Sequence, residues 1–235
     1  TQTSGQNVLS AARLAEIGFR RMVAPRELPL RDIRTLCAAS PIETEIFIHG
    51  ALCVSHSGQC LFSSIIGGRS GNRGECAQPC RLPYRARCVY PLSLKDLCLA
   101  EHIPALMEAG AASFKIEGRM KSAEYVYGVV SIYRRLIDEG RGAAPEEMEA
   151  LARLFSRSGF TDGYFTERIS SSMLGVRTEE DKRTSVSAAE RGFQERRLPL
   201  AMEGSFRVGQ PARLHGTAKR GEESFSITVS GNVCG

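Results

Sequence analysis

Short apolar segments typical of β-strands alternate with amphipathic helical segments, and this alternation restricts the fold more than any other feature of the sequence. Helices are expected where apolar residues return every three or four positions, and strands where they alternate or run together. Strands that alternate with helices predict an α/β fold with a parallel sheet, either open or closed into a barrel. The predicted helices are 7–17, 29–38, 100–109 and 122–139, and the predicted strands are 19–24, 43–49 and 112–117.

The loops that follow the predicted strands hold the candidate substrate-binding residues, because ligands of parallel α/β folds bind at the carboxyl ends of the strands. Arg26 and Glu27 follow the first strand, and His49 ends the second. Glu117 and Arg119 follow the third. Each also has a structural interpretation, as an ion-paired or helix-capping residue or, for His49, as a buried structural histidine.

Four cysteines fall within a short glycine-rich stretch that begins at the end of the second predicted strand. Six residues separate Cys53 from Cys60, and fifteen separate Cys60 from Cys76. Three more lie between Cys76 and Cys80. Thiols so concentrated are typical of metal ligands, and the long, uneven gaps favour an iron–sulfur cluster over the paired spacing of a zinc ribbon. Zinc and structural or redox thiols are the two alternatives.

Length and composition set wider limits. The 235 residues, 42% of them hydrophobic, suffice for a packed core. No apolar run is long enough to cross a membrane, and the first residues lack the pattern of a secretion signal. We therefore expect a cytoplasmic protein, in whose reducing surroundings eight cysteines do not form a disulfide framework. The net charge of +5 permits RNA or another anionic partner without requiring one.

Changes in pattern divide the chain into four predicted segments. Residues 1–141 carry the strand–helix alternation and include the cysteine-rich insertion at 50–90. A further helix and an aromatic loop occupy 142–176, and 177–197 are dense in charges, which is typical of a solvated linker. Short alternating runs then predict a small β-domain over 198–235. Because the sequence does not start with methionine, we expect it to be part of a longer chain, with the β-domain truncated.

Several motifs resemble those of the collagenase-like peptidases, peptidase family U32, over about residues 1–170. The most specific is the run from Glu45 to Cys53, continued by Gly58-Gln59-Cys60 and Ser63, with Phe62 where the family usually has an aliphatic residue. The other matching motifs are Pro25-Arg26-Glu27-Leu28, Asn72-Arg73-Gly74-Glu75-Cys76, Cys80-Arg81, Lys95-Asp96-Leu97 and Phe114-Lys115-Ile116-Glu117-Gly118-Arg119.

The resemblance implies the second half of a TIM-like (β/α) barrel with a cysteine-rich insertion, followed by the start of a small β-domain. Better-understood members hydroxylate pyrimidines of transfer or ribosomal RNA with prephenate as the hydroxyl source, and others act in the ubiquinone pathway. The resemblance also implies a four-iron four-sulfur cluster on Cys53, Cys60 and Cys76. Its fourth ligand is Cys80 or, as the fallback, Cys98.

These implications lead to the hypothesis of an RNA hydroxylase. Arg26, Arg119 and Lys121 are the candidate clamp for the carboxylates of prephenate, because guanidinium groups bind carboxylates in two-point contacts. Glu117 and Arg119 are the predicted catalytic residues, with Glu117 as a proton acceptor. The alternative for Glu117 is an internal ion pair with Lys115 or Arg119.

Two other functions are compatible with the sequence. The first is a peptidase, that is, a hydrolase, although the sequence has no His-Glu-x-x-His motif, no Gly-x-Ser-x-Gly elbow and no catalytic-cysteine context. The second is a non-catalytic scaffold in which a zinc ion with four protein ligands fixes the conformation of the long insertion.

Overall fold

The computed structural model of the chain describes residues 1–86, 88–119 and 121–183, together with the backbone of three strands beyond residue 199. The chain forms two compact units, Thr1–Ala189 and Glu190–Gly235. Of the predicted linker, residues 184–197 lie outside the described part.

The first unit is a mixed α/β structure, which confirms the predicted fold class at that level. Its helices are α1 (Val8–Glu16), α2 (Leu30–Ala39), α3 (Phe62–Gly67), α4 (Ile103–Glu108), α5 (Ala123–Glu139) and α6 (Pro145–Leu154). Its strands are β1 (Arg21–Val23), β2 (Glu43–Ala51), β3 (Asp96–Cys98), β4 (Ser113–Ile116) and β5 (Phe160–Thr161). Short 3-10 turns lie at Gly71–Arg73, Pro79–Arg81, Ala100–His102 and Ser171–Met173.

The sheet is built around β2. Both β1 and β4 pair with β2 in parallel, as the alternating pattern predicts. The short strand β3 was not predicted and runs antiparallel to β2, with His49 opposite Cys98, while β5 is parallel to β3. The expectation of a parallel sheet therefore holds for β1, β2 and β4 and is wrong for β3. In the described part of the insertion the chain forms α3 and short 3-10 turns and returns to pair with β2 in the opposite direction, which needs no helical crossover.

Helix α5 shows how the sequence fixes an element that supports the sheet. The Ser122 side chain caps its start by accepting a hydrogen bond from the backbone N–H of Tyr125, and Gly140 ends it in the left-handed conformation. The buried face of α5 packs into one hydrophobic core with β2, α2, α4 and α6. The largest apolar side chains of this core include Leu36, Ile48, Ile103, Leu106, Tyr133, Leu136 and Leu151.

Gly50, near the end of β2, permits a close approach of the loop that follows β4. Its φ is +106°, and a Cβ there would lie 2.4 Å from the backbone oxygen of Glu117. We expect Gly50→Ala to lower the free energy of unfolding by about 3 kcal/mol, through backbone strain and overlap together. Gly140→Ala is the control, because its φ is +63° with open space around it, and we expect about 1 kcal/mol. Urea denaturation measures both; equal losses would show that the close approach is unimportant.

The second unit contains three antiparallel strands. They are β6 (Leu200–Ser205), β7 (Pro211–Arg220) and β8 (Glu223–Asn232), in the order β6-β7-β8. The alternating run 224–229 that suggested a β-domain lies within β8. In the described part of the chain, none of the helices has the length and apolar character that a membrane span requires.

Candidate active site

The loops after β1, β2 and β4 meet around one cavity of about 300 Å3. This is the edge of the sheet where ligands of parallel strands are expected to bind. The cavity is lined by three of the four clustered cysteines, by one carboxylate, Glu117, and by five cationic side chains. The cations are Arg26, Arg81, Arg119, Lys121 and Arg157. A site with this excess of positive charge selects an anionic ligand.

Arg26 is held between β2 and the loop after β4. Its Nη2 donates to Glu117 Oε2 at 2.8 Å, and its guanidinium carbon lies 3.8 Å from the ring centroid of Phe47. Burial lowers the pKa of Arg26, and the Glu117 carboxylate opposes that effect. Its buried Nε has no hydrogen-bond partner among the described residues. An unpaired buried donor of this kind is unusual, since buried polar groups are normally paired.

Three cations surround the ring of Phe155. Lys121 Nζ lies 2.8 Å from the ring centroid, and the guanidinium carbons of Arg157 and Arg177 lie 5.0 and 4.4 Å from it. Burial, followed by repulsion from Arg157, lowers the pKa of Lys121 to about 7. An anion bound here would relieve this repulsion, so the arrangement favours anion binding.

Arg157 is fixed by a buried ion pair with Asp96 on β3. Its Nη1 donates to Asp96 Oδ1, and the two side chains are only 12% and 2% exposed. Asp96 Oδ2 has no partner among the described side chains and backbone groups. The antiparallel strand β3 thus orients a cation of the cavity.

Arg81 lines the cavity and also holds two segments of the chain together through hydrogen bonds. Its Nη2 donates to the carbonyl of Leu52 at 2.6 Å, and its Nη1 donates to Ser93 Oγ at 3.1 Å and to the carbonyl of Leu94. Burial lowers its pKa. Arg81 therefore joins the two ends of the cysteine-rich insertion beside the cavity.

The four clustered cysteines are free thiols, each partly buried. Cys53, Cys76 and Cys80 line the cavity, whereas Cys60 does not. Cys60 is nevertheless close enough to interact electrostatically with Cys53 and Cys80. Burial raises the pKa of the Cys53 and Cys80 thiols, and the charges of the neighbouring arginines oppose this. The positive surroundings suit four thiolates, which must lose their protons when they bind a metal.

The donor geometry bears on which group these cysteines can hold. Among the described residues, no three Cys, His, Asp or Glu side chains are arranged to hold a metal ion. Zinc requires four donors within about 2.3 Å of a single point. A polynuclear cluster binds each thiolate to a different iron, so its ligands lie farther apart. Thiolates are soft donors that suit zinc as well as an iron–sulfur cluster, so the donor set is compatible with either group.

His49 lies in the core rather than in the lining of the cavity. It is 1% exposed, and its Nδ1 lies 3.2 Å from the hydroxyl of Tyr133, which itself donates to the carbonyl of Ile48 at 2.9 Å. Burial lowers the pKa of His49 to about 3, so the ring is neutral. Cys98 faces the same hydroxyl at 3.5 Å, and burial raises the pKa of its thiol to about 11. Neither residue faces the clustered cysteines' cavity.

Glu27 also lies outside the lining and has a structural contact. Its carboxylate accepts hydrogen bonds from the backbone N–H and the hydroxyl of Ser57, at 2.8 and 2.9 Å. It thereby ties the loop after β1 to the start of the insertion. Glu117 pairs with Arg26 and accepts a hydrogen bond from the Arg119 backbone, while Lys115 pairs with Glu45. The ion pair of Glu117 thus has a partner that the sequence analysis did not propose.

The sequence patterns assign no role to four charged residues of this site: Arg81 and Arg157, which line the cavity, Asp96, which pairs with Arg157, and Arg177, which lies over Phe155. Arg177 opens the segment predicted as a linker, yet it stacks on Phe155. The Lys95-Asp96-Leu97 motif supports the resemblance to the family but indicates no role for Asp96. A signal for Arg157 and Arg177 was their position on either side of the aromatic loop, but charge density alone did not distinguish them from solvated residues.

Residues 1–174 match the sequence profile of Peptidase family U32, and the chain belongs to this family. It is similar to the 23S rRNA 5-hydroxycytidine synthase of Escherichia coli, with 43% identity over 174 residues, 70% of this chain and 26% of the relative. It is 42% identical over 153 residues to tRNA hydroxylation protein P1 of Bacillus subtilis, 59% of this chain and 36% of the relative.

A third relative is named a collagenase rather than an RNA-modifying protein. The chain is 37% identical over 172 residues to a collagenase of Porphyromonas gingivalis, which covers 61% of this chain and 41% of the relative. The chain therefore spans between about a quarter and two fifths of the length of these curated relatives. No solved structure matches it.

Proposed function

We propose that this chain carries the catalytic centre of an enzyme that hydroxylates a pyrimidine in ribosomal or transfer RNA, with prephenate as the hydroxyl donor. The observation that carries the proposal is a single cavity that joins clustered cysteines to five cationic side chains. RNA hydroxylation is supported by the names of relatives that are 43% and 42% identical to this chain. The proposed cofactor is a four-iron four-sulfur cluster on Cys53, Cys60, Cys76 and Cys80.

We also propose that β1, β2 and β4 are consecutive strands of a TIM-like barrel, of which the chain forms the second half. The parallel pairing of all three strands in chain order, with helices between them, supports this. So does the cavity at their carboxyl ends, where active sites of such barrels lie.

The proposed substrate prephenate has two carboxylates, and the cavity offers separate cations for them. Arg26, which lines the cavity, is one contact. Lys121 and Arg157, beside Phe155, form a second, and Arg119 lies at the exposed rim. Guanidinium groups fixed in this way bind and orient carboxylates at two points.

Glu117 is the proposed proton acceptor. Replacing C–H by C–OH is a two-electron oxidation of the pyrimidine, so prephenate, as it gives up its hydroxyl group, would take up the two electrons, while the proton of the broken C–H bond passes to Glu117. It is the one carboxylate among the described lining residues. The Glu117 carboxylate accepts hydrogen bonds from Arg26 Nη2 and from the Arg119 backbone N–H, and these contacts orient it toward the cavity. When bound, the cluster would supply one-electron redox chemistry. The chain's own residues then bind the dicarboxylate, orient it and take up the proton.

Binding of prephenate is expected to weaken above neutral pH. Lys121, with a pKa of about 7, is cationic below that pH and loses its charge above it. We therefore expect the KM for prephenate to rise between pH 7 and 9. Lys121→Arg keeps the charge, since arginine is protonated throughout, and should flatten this rise. Steady-state kinetics of both proteins across pH 6 to 9 check the prediction; identical profiles would assign the pH dependence to another group.

Peptide hydrolysis is the second candidate, because one relative is named a collagenase. The described lining residues include no histidine or serine. The geometry therefore gives hydrolysis less support than anion-dependent redox chemistry.

The proposed function is tested on the protein purified without oxygen, with its iron and sulfide content measured. Undermodified RNA is incubated with the protein, with and without prephenate, and the nucleosides are analysed by mass spectrometry. We expect a hydroxylated pyrimidine only when prephenate is present. Cleavage of gelatin or collagen peptides, without any change in RNA, would replace the proposal by a peptidase.

A further inference from the structure

The cysteine-rich insertion carries most of the net charge of the chain. Residues 50–90 contain five arginines, one glutamate and neither lysine nor aspartate, so their net charge is +4, against +5 for all 235 residues. A charge so concentrated in a sixth of the chain is not explained by solubility, which a dispersed charge would serve equally well.

Three of these arginines, Arg69, Arg73 and Arg85, are exposed and take part in no ion pair among the described residues. Exposed arginines on the helices behave differently. Arg134 pairs with Asp138, and Arg153 pairs with Glu149. The insertion thus presents cations without counter-charges, as expected of a surface that binds a polyanion.

The same insertion exposes apolar side chains and holds an aromatic pair. Leu61, Ile65 and Ile66 are 64%, 79% and 62% exposed. Phe62 stacks on Tyr84 with ring centroids 6.1 Å apart and planes inclined by 28°. Exposed apolar groups beside aromatic rings and arginines are typical of surfaces that bind unpaired nucleotides, whose bases stack while phosphates contact the cations.

The insertion borders the active-site cavity directly. Cys76, Gln78 and Cys80 form part of the lining. At the rim, Gly74 of the insertion lies beside Arg119, since a Cβ on Gly74 would be 3.9 Å from Arg119 Nη1. Arg73 directly precedes Gly74 in the sequence. An RNA strand bound near Arg73 would therefore lie close to the rim of the cavity, as a base that leaves its stack to reach an active site requires.

We propose that the cysteine-rich insertion, residues 50–90, is the RNA-docking surface of this protein. Arg69, Arg73 and Arg85 contact phosphates of a single-stranded segment, and this positions the target pyrimidine at the cavity. The inference rests on the proposed function for the identity of the polyanion. It adds that one element both holds the clustered cysteines and recognises the RNA.

The test compares the wild-type holoenzyme with two triple variants of equal net charge. The first is Arg69→Gln with Arg73→Gln and Arg85→Gln. The control is Arg13→Gln with Arg134→Gln and Arg153→Gln, three exposed arginines that lie on α1, α5 and α6. Surface substitutions of this kind leave the fold intact, which circular dichroism and the iron content check. The probe is a short fluorescein-labelled oligocytidylate, followed by fluorescence anisotropy at several salt concentrations.

We expect the insertion variant to bind the probe roughly tenfold more weakly, and its log–log salt dependence to be shallower by about 2, because three phosphate contacts on a single strand are lost. The control variant should match the wild type. Equal Kd values and salt slopes for all three proteins would overturn the inference, as would an equal loss in both variants, which would indicate net charge alone.

A failure of the proposed function would give results different from those of a failure of the docking surface. If the wild type binds the probe through the insertion but produces no hydroxylated nucleoside with prephenate, the docking surface stands and the hydroxylase proposal fails. If the wild type hydroxylates RNA and the insertion variant does so with an unchanged KM for RNA, the hydroxylase proposal stands and the docking surface is wrong.

Discussion

Cys60→Ser is expected to abolish both the bound cluster and RNA hydroxylation. A serine hydroxyl is a poor ligand for iron in a cluster site, which is built on soft thiolates. Cys60 does not line the cavity, so its loss cannot act through the shape of the substrate site. We expect iron to fall from about four atoms per chain to near background, together with loss of the broad visible absorption of the cluster. Hydroxylated nucleoside should fall to the level seen without protein.

Cys88→Ser is the matched control, because Cys88 is an exposed cysteine of the same insertion outside the proposed ligand set. It should keep its iron, colour and activity. Hydroxylated RNA in cells that contain only the Cys60→Ser protein would contradict the proposed role of the cluster. Stoichiometric zinc without colour in the wild type would favour the scaffold function instead.

The same measurement identifies the fourth ligand. Cys80 lines the cavity with Cys53 and Cys76, whereas Cys98 is buried on β3 against Tyr133. We expect Cys80→Ser to lose iron as Cys60→Ser does, and Cys98→Ser to retain it with a modest loss of stability. The opposite pattern would move the fourth ligand to Cys98.

The sequence was sufficient to predict features that depend on local periodicity. Helices α1, α2, α4, α5 and α6 and strands β1, β2 and β4 follow from apolar spacing, so the loops after these three strands could be identified as neighbours, whereas α3 and β5 were not predicted. Arg26, Glu117, Arg119 and Lys121, which belong to these loops, line one cavity, and their roles stay predictions.

Features that depend on long-range placement could not be predicted in the same way. Strand β3 has three residues and too little pattern to be recognised, and its antiparallel pairing depends on how the insertion folds back. Arg157 becomes part of the cavity only because Asp96 on β3 holds it there. His49 lies inside β2, and Glu27 lies in the loop after β1. The direction of each side chain decides its contacts, and the sequence does not reveal that direction.

The ion pair between Asp96 and Arg157 is expected to be a major determinant of stability and of substrate binding. Asp96→Asn and Arg157→Gln should each lower the free energy of unfolding by about 3–5 kcal/mol, because each leaves a buried group without its partner. The double variant should lose about 1–3 kcal/mol less than the sum of the two, since the partners are lost together. Chemical denaturation of the four proteins measures this coupling.

The exposed pair Arg134 and Asp138 provides the control cycle, with side chains 59% and 62% exposed and a coupling expected below about 0.5 kcal/mol. Asp96→Asn should also raise the KM for prephenate, because Arg157 loses the contact that orients it toward the cavity. A stability effect without any change in KM would make Asp96 purely structural. Additive losses of stability would contradict the ion pair itself, since two residues in direct contact inside a buried site must show coupling.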